Sequence, residues 1–279
     1  MGPLLYIAAL FLILVATGGF VVFIVTQRKA IYKYSYMILV IGFIVHTLSL
    51  GYQYYLLGAT PVLTLKEALA FFSWIIIGVY LIFHLRYGLR VLGSFIVPLA
   101  AIFMIISSVI PSTDVTLNPV LKSIWLPFHV FTIFLGDGMF AMAFIAAIMY
   151  LLQERHIKQK VQGSFYSRLP SLETLDSINH YAIIWGFPFL TLGMITGAMY
   201  AHSVFGSFWQ WDPKEVWSLI TWLSYAVLLH ERLAMGWGGR KAAIFSVICF
   251  LILLFTFIGG SLWLSGYHSF SSLEGGVGL

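Results

Sequence analysis

Along the chain, long apolar runs alternate with short stretches that hold nearly all of the charge. Eight runs stand out, at roughly 3–26, 34–57, 68–86, 91–110, 126–152, 178–201, 215–231 and 242–264. Each approaches the about 20 residues that a helix needs to cross a hydrocarbon core. None shows the apolar–polar alternation of a membrane-spanning strand. Lipid cannot satisfy free backbone groups, so spans are helices or closed barrels, and this pattern selects helices. The expected fold class is all-α: a polytopic integral membrane protein of about eight transmembrane helices. It forms one transmembrane unit over residues 1–279, with no repeat, low-complexity linker or soluble domain. The first run lacks a basic leading segment and a small-residue cleavage site, so it reads as a span and not as a removed signal peptide.

Composition agrees. Of 279 residues, 61% are apolar and only 9% charged, with mean hydropathy +0.96, against about 25% charged in soluble domains. The distribution of the charge matters more than its amount. Alternate loops hold Arg28, Lys29, Lys33, Arg86, Arg90, Arg155, Lys158, Lys160, Arg168, Arg232, Arg240 and Lys241, and the opposite loops hold only Lys66, Lys122 and Lys214. Twelve against three is a positive-inside signal. It puts both termini, and the segment FGSFWQWDPKEVW at 205–217, on the outer face. The net charge of +5 therefore reads as topology, not as nucleic-acid binding. The single cysteine, Cys249, lies in an apolar run and offers neither a disulfide framework nor a haem-attachment CxxCH motif.

The segment 205–217 combines indoles with Asp212, Pro213, Lys214 and Glu215. DPKE reads as a helix start, with Asp212 as N-cap, Pro213 at the first helical position and Glu215 closing a capping box. Lys214 is not required by that motif. If the stretch before it is extended, Trp209 and Trp211 present their rings to one side, and Trp217 and Trp222 follow on the helix. An interfacial aromatic belt accounts for scattered rings at headgroup depth. A tight group of them suits a platform for a flat ligand.

Two histidines share that depth: His129, just inside the outer end of the fifth span, and His268, just beyond the last. Two neutral imidazoles over an aromatic shelf suit an axial pair for haem iron, although either alone also fits an interfacial role. The helix start at Pro213, with Lys214, is the nearest partner for haem propionates. His230 lies thirteen residues past Trp217, roughly 20 Å further along the same helix, too far to share an iron with an outer pair. It is an intramembrane functional group or it reaches headgroups beside Glu231 and Arg232, and the residues leave both open. His46, midway in the second span, is expected to make a helix-to-helix hydrogen bond. His84, His156 and His180 read as interfacial, and His202 as a source of a supporting hydrogen bond. Asp137, the intramembrane acid, is a packing or a proton-related residue. No HExxH motif or Cys/His cluster supports zinc catalysis, and no residue stands out as a general base.

FWQWDPKEVWSLITW resembles the tryptophan-rich WWD signature of the haem-handling proteins of cytochrome c biogenesis. The continuation LLHER, the upstream GFPFLTLGMITGAMYA, IWLPFHV…YLLQER and GYHSF are similar to the CcsA (ResC-like) branch of system II, over most of the chain from LTLKEALAFFSW onward. The resemblance implies one cytochrome c assembly domain over 1–279 with a WWD loop at about 202–217. It implies that His129 and His268 are the outer ligands of haem b iron, flanking a site built from Phe205, Trp209, Trp211, Asp212, Lys214 and Trp217. It makes His230 a membrane-embedded ligand whose counterpart comes from a CcsB/ResB-like partner subunit. Two departures stand out. Phe205-Gly206 replaces the usual Trp-Gly, and Gly259, Gly260 and Ser261 stand where Gly-Val-Asn is usual.

The implied function is the haem-presenting subunit of a holocytochrome c synthase (haem lyase). Such a subunit moves haem across a bacterial inner membrane, or a thylakoid membrane if plastid. It presents haem outside for thioether attachment to the CxxCH of apocytochrome c. The alternative is a haem chaperone or exporter, or a HemX-like accessory, without ligation activity.

Overall fold

A computed structural model of the chain describes residues 2–58, 60–111, 125–159 and 168–262. Among these residues the chain is all helix: α1 (Gly2–Thr26), α2 (Lys29–Leu57), α3 (Leu65–Tyr87), α4 (Gly93–Val109), α5 (Trp125–Gln159), α6 (Leu172–Phe205), α7 (Pro213–Leu233) and α8 (Gly239–Leu262). The eight apolar runs become eight helices, and the protein is a multi-span membrane protein. Six helices, α1, α2, α3, α5, α6 and α8, are long and apolar enough to cross a membrane. The remaining two are weaker candidates. Helix α4 is a shorter apolar helix. In α7 the charged ends and the interior Ser, Thr, Trp and Tyr residues dilute the apolar content.

Several helices overrun their apolar runs. Helix α2 starts at Lys29, α5 continues to Gln159, and α6 runs from Leu172 to Phe205. Backbone hydrogen bonding continues after the side chains turn polar, because a helix satisfies its own donors and acceptors in headgroups as well as in lipid. Local signals set the ends. Thr64 and Glu67 form a capping box at the start of α3, and Gly58, Gly88 and Gly206 close α2, α3 and α6 in the left-handed conformation that glycine adopts without a Cβ clash.

Helices α1–α4 pack together, α5–α8 pack together, and the α3/α5 contact joins the two groups. Phe134 of α5 is central to the join, with its ring 5.2 Å from Phe71, 5.9 Å from Phe72 and 5.6 Å from Phe257 of α8. The most extensive helix pair is α5/α6. Apolar burial gives little drive between helices already in lipid, so close backbone approach and interhelical hydrogen bonds carry the packing. Glycines permit that approach. A Cβ at Gly186 would lie 2.8 Å from Phe140, and one at Gly193 would lie 2.5 Å from Ile133.

At the opposite end of α7 from the Trp-rich turn, Arg232 is buried in a polar knot. Its guanidinium donates to Asp176 Oδ1 at 2.9 Å, Asn179 Oδ1 at 3.0 Å and His180 Nδ1 at 3.1 Å. Asn179 in turn donates to the Ala143 carbonyl and to Ser246 Oγ, both at 2.8 Å. One arginine thereby ties α7 to α6, and through Asn179 to α5 and α8. His180 is a hydrogen-bond acceptor here, not an ordinary interfacial residue.

Candidate functional site

Within the segment 202–217 the Trp-rich turn itself is short. His202 and Phe205 are still helical, and the non-helical chain runs from Gly206 to Asp212. Gly206, at φ 72°, donates its N–H to the His202 carbonyl at 2.9 Å. Ser207 Oγ donates to the Trp209 carbonyl at 2.9 Å. The far side of the turn is fixed by one carboxylate: Glu215 Oε2 accepts from Gln210 N at 2.8 Å and Asp212 N at 3.3 Å. Asp212 is the N-cap of α7, buried, and accepts from Lys214 N at 2.8 Å. The DPKE helix start is therefore borne out, including the reciprocal capping box and Pro213 at the first helical position.

The stretch before it is not extended. Trp211 has φ +58°, the left-handed region, because the chain reverses there to deliver Asp212 to the cap. The Trp209 and Trp211 rings consequently meet edge to face, with centroids 5.9 Å apart and planes at 88°, instead of facing one way. Trp211 is 79% exposed. Trp209 is half-buried, and its Nε1 is buried with no hydrogen-bond partner among the described residues. Phe208 lies exposed, stacked on His202 with 4.2 Å between ring centroids. His202 therefore contributes a ring face at the turn. Phe205 is also exposed.

The helical tryptophans have other tasks. Trp217 packs against Phe255 of α8 at 4.5 Å, and its carbonyl accepts from Thr221 Oγ1 at 2.9 Å. Trp222 donates from Nε1 to Thr191 Oγ1 at 2.9 Å and lies against Phe187, which pins α7 to α6.

His129 Nδ1 is 2.7 Å from the Gly193 carbonyl oxygen. A carbonyl only accepts, so Nδ1 carries the proton, and the neutral ring then has its lone pair on Nε2. This is the state a metal-ligating imidazole needs, with the opposite nitrogen held by a backbone acceptor. The residues present therefore fit an axial role for His129. His268, its expected counterpart, lies outside the described residues.

His230 is exposed on α7, on the same stripe as the exposed Leu219, Leu223 and Val227. It is seventeen residues beyond Pro213, about 25 Å along the helix. Its imidazole opens onto the apolar outside of this chain, two residues from the Arg232 knot. His46 departs from expectation. It is fully buried, yet neither ring nitrogen has a hydrogen-bond partner among the described residues. Its ring contact is the edge of Tyr6 at 5.9 Å. His84 is 2.6 Å from the Tyr32 hydroxyl.

Asp137 is buried and acts electrostatically on Lys214 and Tyr225. Tyr225 stacks on Phe140 with ring centroids 3.5 Å apart, and its hydroxyl has no partner among the described residues. Among the described residues no group of three His, Cys, Asp or Glu side chains is placed to hold a bare metal ion. Sequence reasoning missed Gly193 and Thr191, whose contributions are a carbonyl and a single hydroxyl on α6.

The family profile described as "Cytochrome C assembly protein" matches residues 62–268. A protein of Chlamydomonas reinhardtii named "Cytochrome c biogenesis protein CcsA" is 33% identical over 222 residues, covering 76% of this chain and 61% of that protein. One of the same name from Microcystis aeruginosa is 31% identical, covering 79% of this chain and 82% of that protein. A solved structure, "Cytochrome c Heme Lyase CcmF", superposes with a TM-score of 0.71 at 16% identity. That match covers 98% of this chain and 48% of the solved one, so the chain spans about half its length and shares its fold.

Proposed function

The chain belongs to the cytochrome C assembly protein family, and on that premise we propose that it is the haem-handling subunit of a cytochrome c synthase. In this reading haem b is the cargo. It is taken up beside His230 and passed to an outer site at the Trp-rich turn, where His129 and His268 bind the iron. Trp209, Trp211 and Phe205 supply apolar contact at that site, and Asp212, Lys214 and the first turn of α7 face the propionates. Haem brings the two vinyl groups to which the CxxCH thiols of an apocytochrome c add, each S–H crossing one C=C bond, sulfur to one carbon and hydrogen to the other. The protein binds, orients and shields, and the chemistry belongs to the cargo. A CcsB/ResB-like partner supplies the group facing His230.

The observation that carries this reading is the His129 Nδ1 bond to the Gly193 carbonyl at 2.7 Å. It prepares one nitrogen for a metal and ties it to α6, which ends at Phe205, about 18 Å beyond Gly193, at the exposed aromatic turn. The exposed position of His230 on an apolar stripe supports a second, partner-completed site. Both termini and the turn lie on the outer side of a bacterial inner membrane, or of a thylakoid membrane.

The test is reconstitution. The chain is expressed with a CcsB/ResB-like subunit, haem and an apocytochrome bearing CxxCH, and covalent haem is read on a denaturing gel. Covalent cytochrome that disappears with His129→Ala is the expected result. Haem absorption in the purified chain with no covalent product under any of these conditions would instead establish a haem chaperone or exporter.

A further inference from the structure

His129 sits at one end of the glycine-lined seam between α5 and α6. Residues 129, 133 and 140 of α5 face residues 186, 193 and 197 of α6 across it. A Cβ built on Gly197 would lie 2.6 Å from His129 Cε1 and 2.6 Å from His129 Nδ1. Real Cβ contacts do not come that close to a ring. Gly193 and Gly197 are one helical turn apart, so the Gly197 N–H and the His129 Nδ1–H converge on the same carbonyl, which has two lone pairs to offer. Thr196 Oγ1 is 3.0 Å from that oxygen, but it is 2.8 Å from the Leu192 carbonyl, which takes its single proton.

We infer that Gly193 and Gly197 are positioning residues for the His129 imidazole. One turn of α6 provides both the acceptor that fixes the ring's proton on Nδ1 and the space in which the ring lies. The lone pair is thereby committed to Nε2, with the ring plane held by the helix. A donor bond of this kind raises the basicity of the ligating nitrogen and fixes its direction. The haem consequence rests on the reading of His129 as an iron ligand. The tautomer does not.

The experiment uses the full chain without haem, labelled with 15N-histidine, in detergent or nanodiscs. The His129 signal is identified by its loss in His129→Gln. Wild-type His129 should show the Nδ1–H tautomer, and an Nε2–H tautomer would overturn the inference. Gly197→Ala should shift that signal toward the other tautomer or a mixture. Gly186→Ala, whose methyl meets Phe140 on the same seam, should leave it in place. A wild-type His129 signal in Gly197→Ala also overturns the inference. Should Gly197→Ala fail to accumulate, the wild-type tautomer decides alone. In haem-loaded protein, Gly197→Ala should retain less outer haem than Gly186→Ala. An outer haem signal unaffected by His129→Ala would sink the ligand reading while leaving the tautomer result standing.

Discussion

Trp211 and Trp222 are separated by their contacts, and the difference is measurable. Trp211 is 79% exposed and meets the Trp209 ring edge-on, so Trp211→Ala should change apo stability by no more than about 0.5 kcal/mol. It should nonetheless lower the haem retained by the purified protein. Trp222→Phe loses the bond to Thr191 Oγ1 and should cost about 0.6–1 kcal/mol, the range for an interhelical hydrogen bond in a membrane protein. Its haem content should stay unchanged. Thermal melts and absorption spectra of the two variants check both. The sequence showed where these residues lie along the chain and left their orientation open. The two rings would share a side only in an extended stretch, and the demands of the cap at Asp212 reverse the backbone at Trp211, where φ is 58°. His129 was legible as an imidazole near the start of the fifth helix. Its acceptor, a glycine carbonyl 64 residues away, has no side chain to leave a trace.

The start of α7 was legible in full, because every part of a capping box lies within four residues. Asp212→Ala should cost about 1 kcal/mol, and Asp212→Ser should recover most of it. If Asp212 also serves the outer site, the serine variant will be close to wild type in stability but will hold less haem, which a melt and a haem assay on the same sample will reveal. The other end of α7 was opaque. Arg232 looked like one more inner-face charge, yet it is buried among Asp176, Asn179 and His180, residues of another helix. Arg232→Ala leaves the Asp176 carboxylate and the Asn179 carbonyl facing an empty site. The expected loss is about 3–5 kcal/mol, read as a lower detergent melting temperature, with the His230 region loosened along with it. Helix limits were misjudged for a related reason. Hydropathy marks where lipid ends, whereas the hydrogen-bond ladder runs on.

For the whole molecule, the number of helices and their alternating charge were both legible, because each reflects a constraint that the bilayer imposes on every span. The sidedness they imply is open to a simple labelling experiment. Cys249 is fully buried, so the wild-type chain is a silent background for thiol reagents. In intact cells or oriented vesicles, Ser207→Cys should react with an impermeant maleimide added outside, and Met235→Cys, in the turn after α7, only after permeabilisation. The reverse pattern would invert the topology. How the helices pair was beyond the sequence, since it depends on glycines that matter only once a neighbour arrives. One consequence concerns how the chain is built. Helix α7 falls short of the six strongly apolar helices, while α8, which follows it, is among them. A nascent chain stalled before Gly239 would therefore offer the insertion machinery a segment that partitions poorly by itself. The return of the chain across the membrane after the aromatic turn would be completed only once α8 had emerged from the ribosome, making α8 a checkpoint on the seating of α7.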